Sequence, residues 1–236
     1  MLVDELYLLS FNYGQRHAKE LEYAKKSGQR LGAMHEVVDI HVLSQLLSTS
    51  GSVLVSNNPV PDGHYAEENM RQTVVPNRNM ILLSIAVGRA VAVGAEHVWS
   101  GVHSGDHFIY PDCRPDFYKV LNEAVEYGNE GFLPQHQQEA LVGKIEGMGI
   151  LEYIKTPFAY WDKSMIVQHG VPLHVPFEET WSCYKGGDLH CGRCGTCVER
   201  QEAFAIAGVT DPTKYEDPEY WHTVTQVPEF MYGGSE

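Results

Sequence analysis

The chain has 236 residues, 43% hydrophobic and 20% charged, which suits one large α/β domain, or a domain with a small appendage, and a sizeable core. Seventeen Lys and Arg against 31 Asp and Glu give a formal net charge of −14, so a broad cationic footprint for nucleic acid or anionic lipid is excluded. No apolar run reaches the ~18–20 residues of a membrane span. The opening Met1-Leu2-Val3-Asp4-Glu5 carries acids where a secretory signal carries bases, so a cytoplasmic protein is expected.

The elements come in order. Leu6–Phe11 reads as a strand, and Gln15–Leu31 as a helix with Leu21, Ala24, Gly28 and Leu31 along one face and Gly32 as its C-cap. His35–Ile40 is the next strand. A long Ser-, Asn-, Pro- and Gly-rich connection, Ser48–Pro76, has the length of a functional or mobile loop. Asn77 is placed to cap a helix running to Val93, apolar almost all round and so expected to be buried. Glu96–Gly101 is a third strand, Pro115 starts a helix to about Tyr127, Gly149–Lys155 is a fourth strand, and a short helix begins at Asp162 or Ser164 and ends near Gly170. This alternation predicts a doubly wound parallel sheet, with ligands beyond the carboxyl ends of its strands. Past Gly208 the chain becomes an acidic, aromatic tail.

Three loops come after predicted strands: Asn12–Arg16, Val102–Arg114 and Thr156–Lys163. Arg16 and His17 stand at a helix start, where backbone N–H groups favour an anion. Asn77, Arg78 and Asn79 open the apolar helix with donors that a phosphate or carboxylate would use, or the carbonyls of a neighbouring loop. The stretch GVHSGDHFIYPDCR holds His103, Asp106, His107, Tyr110, Asp112 and Arg114. Asp106 and Asp112 offer carboxylate acceptors for a guanine-like heterocycle, and Phe108 or Tyr110 a stacking face. Lys163 is a candidate phosphate contact, with a solvated surface lysine as the alternative.

Cys183, Cys191, Cys194 and Cys197 form C-x7-C-x2-C-x2-C. The x2 pairs bring two thiolates to one cation, and Cys194 and Cys197 share a face at the start of a helix read as Gly195–Ala207. Four soft ligands with no open position suit a closed structural Zn2+ site, with an iron–sulfur cluster as the alternative and His190 as a reserve ligand. Cys113, beside Arg114, reads as a small buried thiol rather than a nucleophile. Neither G-x-G-x-x-G nor G-x-x-x-x-G-K-[ST] occurs.

Four segments carry a resemblance: SFNYGQRH (Ser10–His17), VVPNRNMILLSIA (Val74–Ala86), SGVHSGDHFIYPDCRPDF (Ser100–Phe117) and TWSCY with CGRCGTC (Thr180–Cys197). In this order, from about Leu6 to Pro212, they resemble the 7-cyano-7-deazaguanine synthase family of queuosine biosynthesis, within the PP-loop ATP pyrophosphatase superfamily. The resemblance implies an adenine nucleotide alpha-hydrolase-like, Rossmann-like domain over 1–178 and a zinc-bearing segment with the acidic tail over 179–236. It implies adenylation of 7-carboxy-7-deazaguanine by ATP with Mg2+, displacement of AMP by ammonia, and a second activation that leaves a nitrile. The four cysteines carry over as zinc ligands. Arg78, Lys163 and Asp106 are the candidate catalytic groups, and Arg16, His17, Asn77, Asp112 and Arg114 the candidate substrate contacts. A homodimer that acts on small molecules, without direct contact to nucleic acid or membrane, is expected. A non-catalytic deazaguanine- or nucleotide-binding protein and an amide-forming synthetase are the alternatives.

One departure stands out. The family pattern has an SGGxDS phosphate loop before SF-x-YGQRH, and none occurs in this chain. Weakened ATP binding and a sheet lacking a strand are therefore expected of the chain as written, with a start downstream of the true one as the favoured explanation.

Overall fold

The computed structural model describes residues 5–56, 58–66, 68–134 and 152–226. The elements are β1 (Tyr7–Asn12), α1 (Lys19–Leu31), β2 (Met34–Asp39), α2 (Val42–Leu46), α3 (Arg78–Val93), β3 (Val98–Trp99), α4 (Pro115–Gly128), β4 (Ile154–Lys155), α5 (Lys163–Gly170), α6 (Gly195–Ala207) and α7 (Trp221–Val224). The chain divides into two compact units, Met1–Pro76 with Lys163–Glu236, and Asn77–Asp162.

In the first unit β1 pairs parallel with β2, from Tyr7 opposite Met34 to Asn12 opposite Asp39, and α1 is the crossover. Gly32 ends α1 in the left-handed region, as the sequence predicts. The long connection contains two short 3-10 turns, Ser48–Ser50 and Glu68–Thr73, among its described residues. α5 packs on α6, burying Val167, Ala203 and Phe204 with Phe177, Ala207 and Val209 against them.

The second unit holds the parallel pair β3 and β4, with Val98 opposite Ile154 and Trp99 opposite Lys155. Of the predicted strand Gly149–Lys155, residues 149–151 lie outside the described residues. The core joins Leu83, Val87 and Ala90 of α3 to Tyr118, Leu121 and Val125 of α4, with Leu133, Tyr153 and Ile154. α3 is therefore not buried all round: one stripe faces the core while Ser84, Gly88 and Ala92 are exposed. Its Ala, Gly and Ser content makes the opposite face apolar by residue type yet cheap to expose. Nor does the Asn77 side chain cap the helix; Asn77 sits at φ 59°, a left-handed conformation that Asn tolerates better than most residues. The parallel pairing and the order of helices and strands place the protein in the α/β class.

Asn122 is the polar member of this second core. Its amide donates to Ile154 O (3.1 Å) and accepts from Ile154 N (2.7 Å), standing in for a neighbouring strand. Both partners are buried. Asn122→Leu leaves two buried backbone groups unpaired and is expected to cost ~2–4 kcal/mol in urea unfolding with an unchanged m-value. A loss of less than about 0.5 kcal/mol would show that Ile154 finds other partners.

Candidate functional site

The four thiols of Cys183, Cys191, Cys194 and Cys197 converge. Their sulfurs all lie within 4.8 Å of one another, and every one of these residues is buried. Cys194 Sγ and Cys197 Sγ are 3.5 Å apart, and Cys191 Sγ and Cys197 Sγ 3.9 Å. A tetrahedral ion with metal–sulfur bonds of ~2.3 Å requires sulfur–sulfur separations of ~3.8 Å. The spacing is too long for a disulfide, and all five cysteines are free. A polynuclear cluster would splay the sulfurs further apart, so the geometry suits a single ion.

Local backbone builds this ring. Gly192 takes φ 76°, and a Cβ there would meet Asp217 O at 1.9 Å, so this turn accepts only glycine. The turn aims Arg193 N and Cys194 N at Cys191 Sγ (3.3 Å each), and Cys191 N at Cys183 Sγ (3.4 Å). Such N–H donors favour the thiolate form that a metal binds. Hydrogen bonds from Cys183, Cys191 and Cys197 hold the Cys194 thiol well below its ordinary range, while the same crowding pushes Cys197 up. Cys183 is lowered as well, to about 7, through its hydrogen bond with Cys191, while Cys191 is pushed up. His190 is not a fifth ligand: its Nε2 accepts from Ser182 N (3.2 Å). Burial, aided by the Arg200 charge, lowers it to about 4, so the ring is neutral at pH 7.

α6 begins at this ring, with Cys194 as its N-cap, and spans the residues the sequence predicts. The polar run just after Cys197 escaped sequence reasoning. Val198-Glu199-Arg200-Gln201-Glu202 is buried, although four of the five are polar. Glu199 pairs with Lys163 at the start of α5. Arg200 holds Asp211 through Nε and Nη2 at 3.1 Å, Thr180 Oγ1 at 2.6 Å and Phe177 O at 3.0 Å. Burial alone would raise Asp211, but the Arg200 guanidinium keeps its carboxyl below the usual range. Glu202 meets His64 Nε2 (3.2 Å) and the Thr225 hydroxyl. His64 Nδ1 accepts from Ala66 N, so the proton is on Nε2 and points at Glu202. Asp62 pairs with Lys185 and Arg193, fastening the long connection to the cysteine loop. Polar residues directly after CxxC, in a helix lacking a solvent stripe, were the available signal.

The predicted substrate and catalytic residues fall in both units. Arg16 Nη1 donates to Asn58 O (2.5 Å), and His17 beside it is lowered by burial and by the Arg16 charge. Lys163 is held by Glu199 rather than solvated. In the second unit Asp112 accepts from Asn79 N (3.2 Å), and the Asn79 amide reaches Asp112 O (3.4 Å) and Cys113 Sγ (3.3 Å). The neighbouring loop thus takes up part of the donor set at the start of α3 that Asn77, Arg78 and Asn79 present. Arg78 Nε donates to Asn79 Oδ1 (3.4 Å). His103 Nδ1 accepts from Gly105 N, leaving its Nε2 proton to orient Asp106 at 3.3 Å. Arg114 is exposed and donates through Nε to His107 O (2.8 Å), whose own Nε2 is buried with no hydrogen-bond partner. Burial and the Asp106 and Asp112 carboxylates push the Cys113 thiol up to about 12, so it is no nucleophile at neutral pH.

Parallel strand pairs, polar loops after the strands and a closed thiolate ring at a helix head define an α/β protein with a metal-ready structural centre and anion-suited loops. The model of the family described as "Queuosine biosynthesis protein QueC" matches residues 2–208. The chain is 51% identical over 220 residues to the 7-cyano-7-deazaguanine synthase of Sinorhizobium fredii, covering 93% of this chain and 85% of that protein. It is 51% identical over 214 residues to that of Paracoccus denitrificans (91% and 84%), and 48% identical over 219 residues to that of Brucella ovis (93% and 86%). The chain belongs to the QueC family. No helix among the described residues is long and apolar enough to cross a membrane.

Cys194→Ser removes one of the four sulfurs and is expected to cost metal and soluble yield together, since a closed site couples binding to folding. Full metal content by elemental analysis, with unchanged thermal stability, would show that the ligand set is wrong.

Proposed function

We propose that this chain is an ATP-consuming ligase that converts 7-carboxy-7-deazaguanine and ammonia to 7-cyano-7-deazaguanine in queuosine biosynthesis. The observation that carries this reading is the 51% identity, across nearly the whole chain, to relatives bearing that synthase name. The substrate carboxylate attacks the α-phosphorus of ATP, pyrophosphate leaves, and ammonia displaces AMP to give the amide. A second ATP activates the amide oxygen, and loss of AMP and a proton leaves the nitrile.

The chain's own residues have distinct parts in this proposal. Asp106, oriented by the His103 Nε2 proton, accepts from the N–H groups of the base. Arg114, with only Nε engaged in a described hydrogen bond, contacts the carboxylate, and Asp112 offers its second oxygen to the N–H donors of the base. Arg16, His17, Asn77, Arg78 and Lys163 are assigned to the substrate and nucleotide anions, with Glu199 fixing where the Lys163 ammonium stands. Exposed Phe108 offers a ring face to the purine-like system. The unpartnered His107 Nε2 also supports a ligand at this loop.

Zn2+ is the ion assigned to the four cysteines, where it braces α6 and takes no part in the chemistry. ATP enters with Mg2+. The fold is read as a doubly wound parallel sheet, and the protein as a cytoplasmic homodimer.

Metal-loaded protein given 7-carboxy-7-deazaguanine, ammonium and MgATP is expected to release AMP and a product with the mass of the nitrile. An amide as the end product would place the chain among related synthetases. Absence of both AMP and product, from this chain and from one extended upstream in frame, would contradict the ligase reading. Activity confined to the extended chain would bear on the phosphate loop that the sequence lacks.

A further inference from the structure

The acidic, aromatic stretch past Gly208 packs on the cysteine loop, and both lie in the first compact unit. Burial alternates along residues 211–218: Asp211, Thr213, Tyr215 and Asp217 are partly buried, while Pro212, Lys214, Glu216 and Pro218 are exposed. The inward side of this run meets the residues on either side of Cys191. His190 N donates to Lys214 O (3.3 Å) and Glu216 N donates to His190 O (2.8 Å), which sets Tyr215 beside His190 in a parallel bridge. Their rings stand 5.7 Å apart. Two residues on, Asp217 O occupies the space over Gly192 that a side chain would need, since a Cβ there would stand 1.9 Å from it. The run therefore crosses the loop at Cys191.

Both ends of the crossing are fastened, but unequally. Upstream, Asp211 accepts from Arg200 Nε (3.1 Å), the Tyr215 hydroxyl (2.6 Å) and Thr213 N (3.0 Å). The Arg200 and Asp211 side chains are only 8% and 10% exposed. Downstream, Arg193 Nη1 donates to Asp217 Oδ2 (3.3 Å), and the guanidinium carbon stands 4.5 Å from the Tyr220 ring centroid. Asp217 Oδ1 accepts from Tyr220 N (3.1 Å). Here the Arg193 and Asp217 side chains are 46% and 35% exposed. Exposed pairs hold weakly, and segments fastened by them open locally while the core stays folded. The run is thus hinged at Asp211 and latched at Asp217 and Tyr220.

Cys194 and Cys197 are fully buried where α6 begins, whereas Cys191, at 6% exposed, is the least buried of the four cysteines. The shortest way between the ring of sulfurs and solvent runs past Cys191, under the crossing. We propose that residues 211–225 form a strap over the Cys191 side of the ring, and that opening of its Asp217–Arg193–Tyr220 latch sets the rate at which the ion enters and leaves. The proposal rests on the ion assigned to the four cysteines and is independent of the ligase reading.

Release of zinc from metal-loaded protein into excess chelator, followed with a colorimetric indicator, tests the strap without turnover. Asp217→Ala removes the Arg193 pair and the acceptor for Tyr220 N, and is expected to speed release about tenfold. Tyr220→Ala removes the ring beneath the Arg193 guanidinium and is expected to speed it about threefold. Lys214→Gln, on the outward side, is expected to leave the rate unchanged. Val167→Ala lowers global stability through the core between α5 and α6, away from the strap, and is also expected to leave it unchanged. In the wild type, hydrogen exchange across residues 211–225 is expected to show opening at least as fast as zinc leaves. Wild-type release rates in both latch variants, equal acceleration by Val167→Ala, or zinc leaving faster than the strap opens would overturn the proposal. A protein that takes up no zinc loses the ion assignment and the strap together. One that shows the expected release rates but forms no AMP loses only the ligase reading.

Discussion

Four sulfurs drawn to one point at the head of α6 constrain much of the first unit. Thiolates this close repel one another, and their convergence is stable only when a cation sits among them. Because Cys194 caps the helix and Cys197 lies in its first turn, the ring fixes where α6 starts and how it is rotated. That rotation sets which way Glu199, Arg200 and Glu202 point. Each then meets a partner distant in sequence: Lys163, Asp211 and His64. Buried charges of this kind cost several kcal/mol unless paired. A metal bound there would hold the helix in register and keep three buried pairs matched at once.

Through this arrangement an ion at the four cysteines would bear on side chains remote from it. Lys163 opens α5, and its ammonium is steered by a glutamate two residues past Cys197. The loop carrying Asp62 is likewise fastened to the cysteine loop, by Lys185, by Arg193 and by a bridge between Asp62 and Cys194. In the second unit the same economy of polar groups appears on a smaller scale. Asp112 binds the start of α3, and His103 aims Asp106, so the carboxylates assigned to the base are positioned before any ligand arrives.

Much of this was legible in the residues. The x2 spacings gave the four cysteines that converge, and the span of α6 was read from the sequence as well. Gly32 and Pro115 marked helix ends through their own backbone preferences. Legibility failed where partners are remote. Nothing near Glu199 announces Lys163, and nothing near His64 announces Glu202, 138 residues away. A local reading assigns such charges to a solvated face, because the periodicity that marks an apolar stripe has no counterpart for a buried ion pair. α3 failed in the opposite sense: Ala, Gly and Ser look apolar in sequence but are small enough to face water at little cost. The donors of Asn79 were visible in advance, but their use by Asp112 depended on how a loop 33 residues on would fold back.

X-ray absorption at the metal edge of purified protein tests the central claim most directly. The account predicts one zinc ion with four sulfur neighbours at about 2.3 Å and no nitrogen, oxygen or second metal in its immediate surroundings. A mixed sulfur and nitrogen shell, or scattering from a neighbouring metal atom, would contradict it.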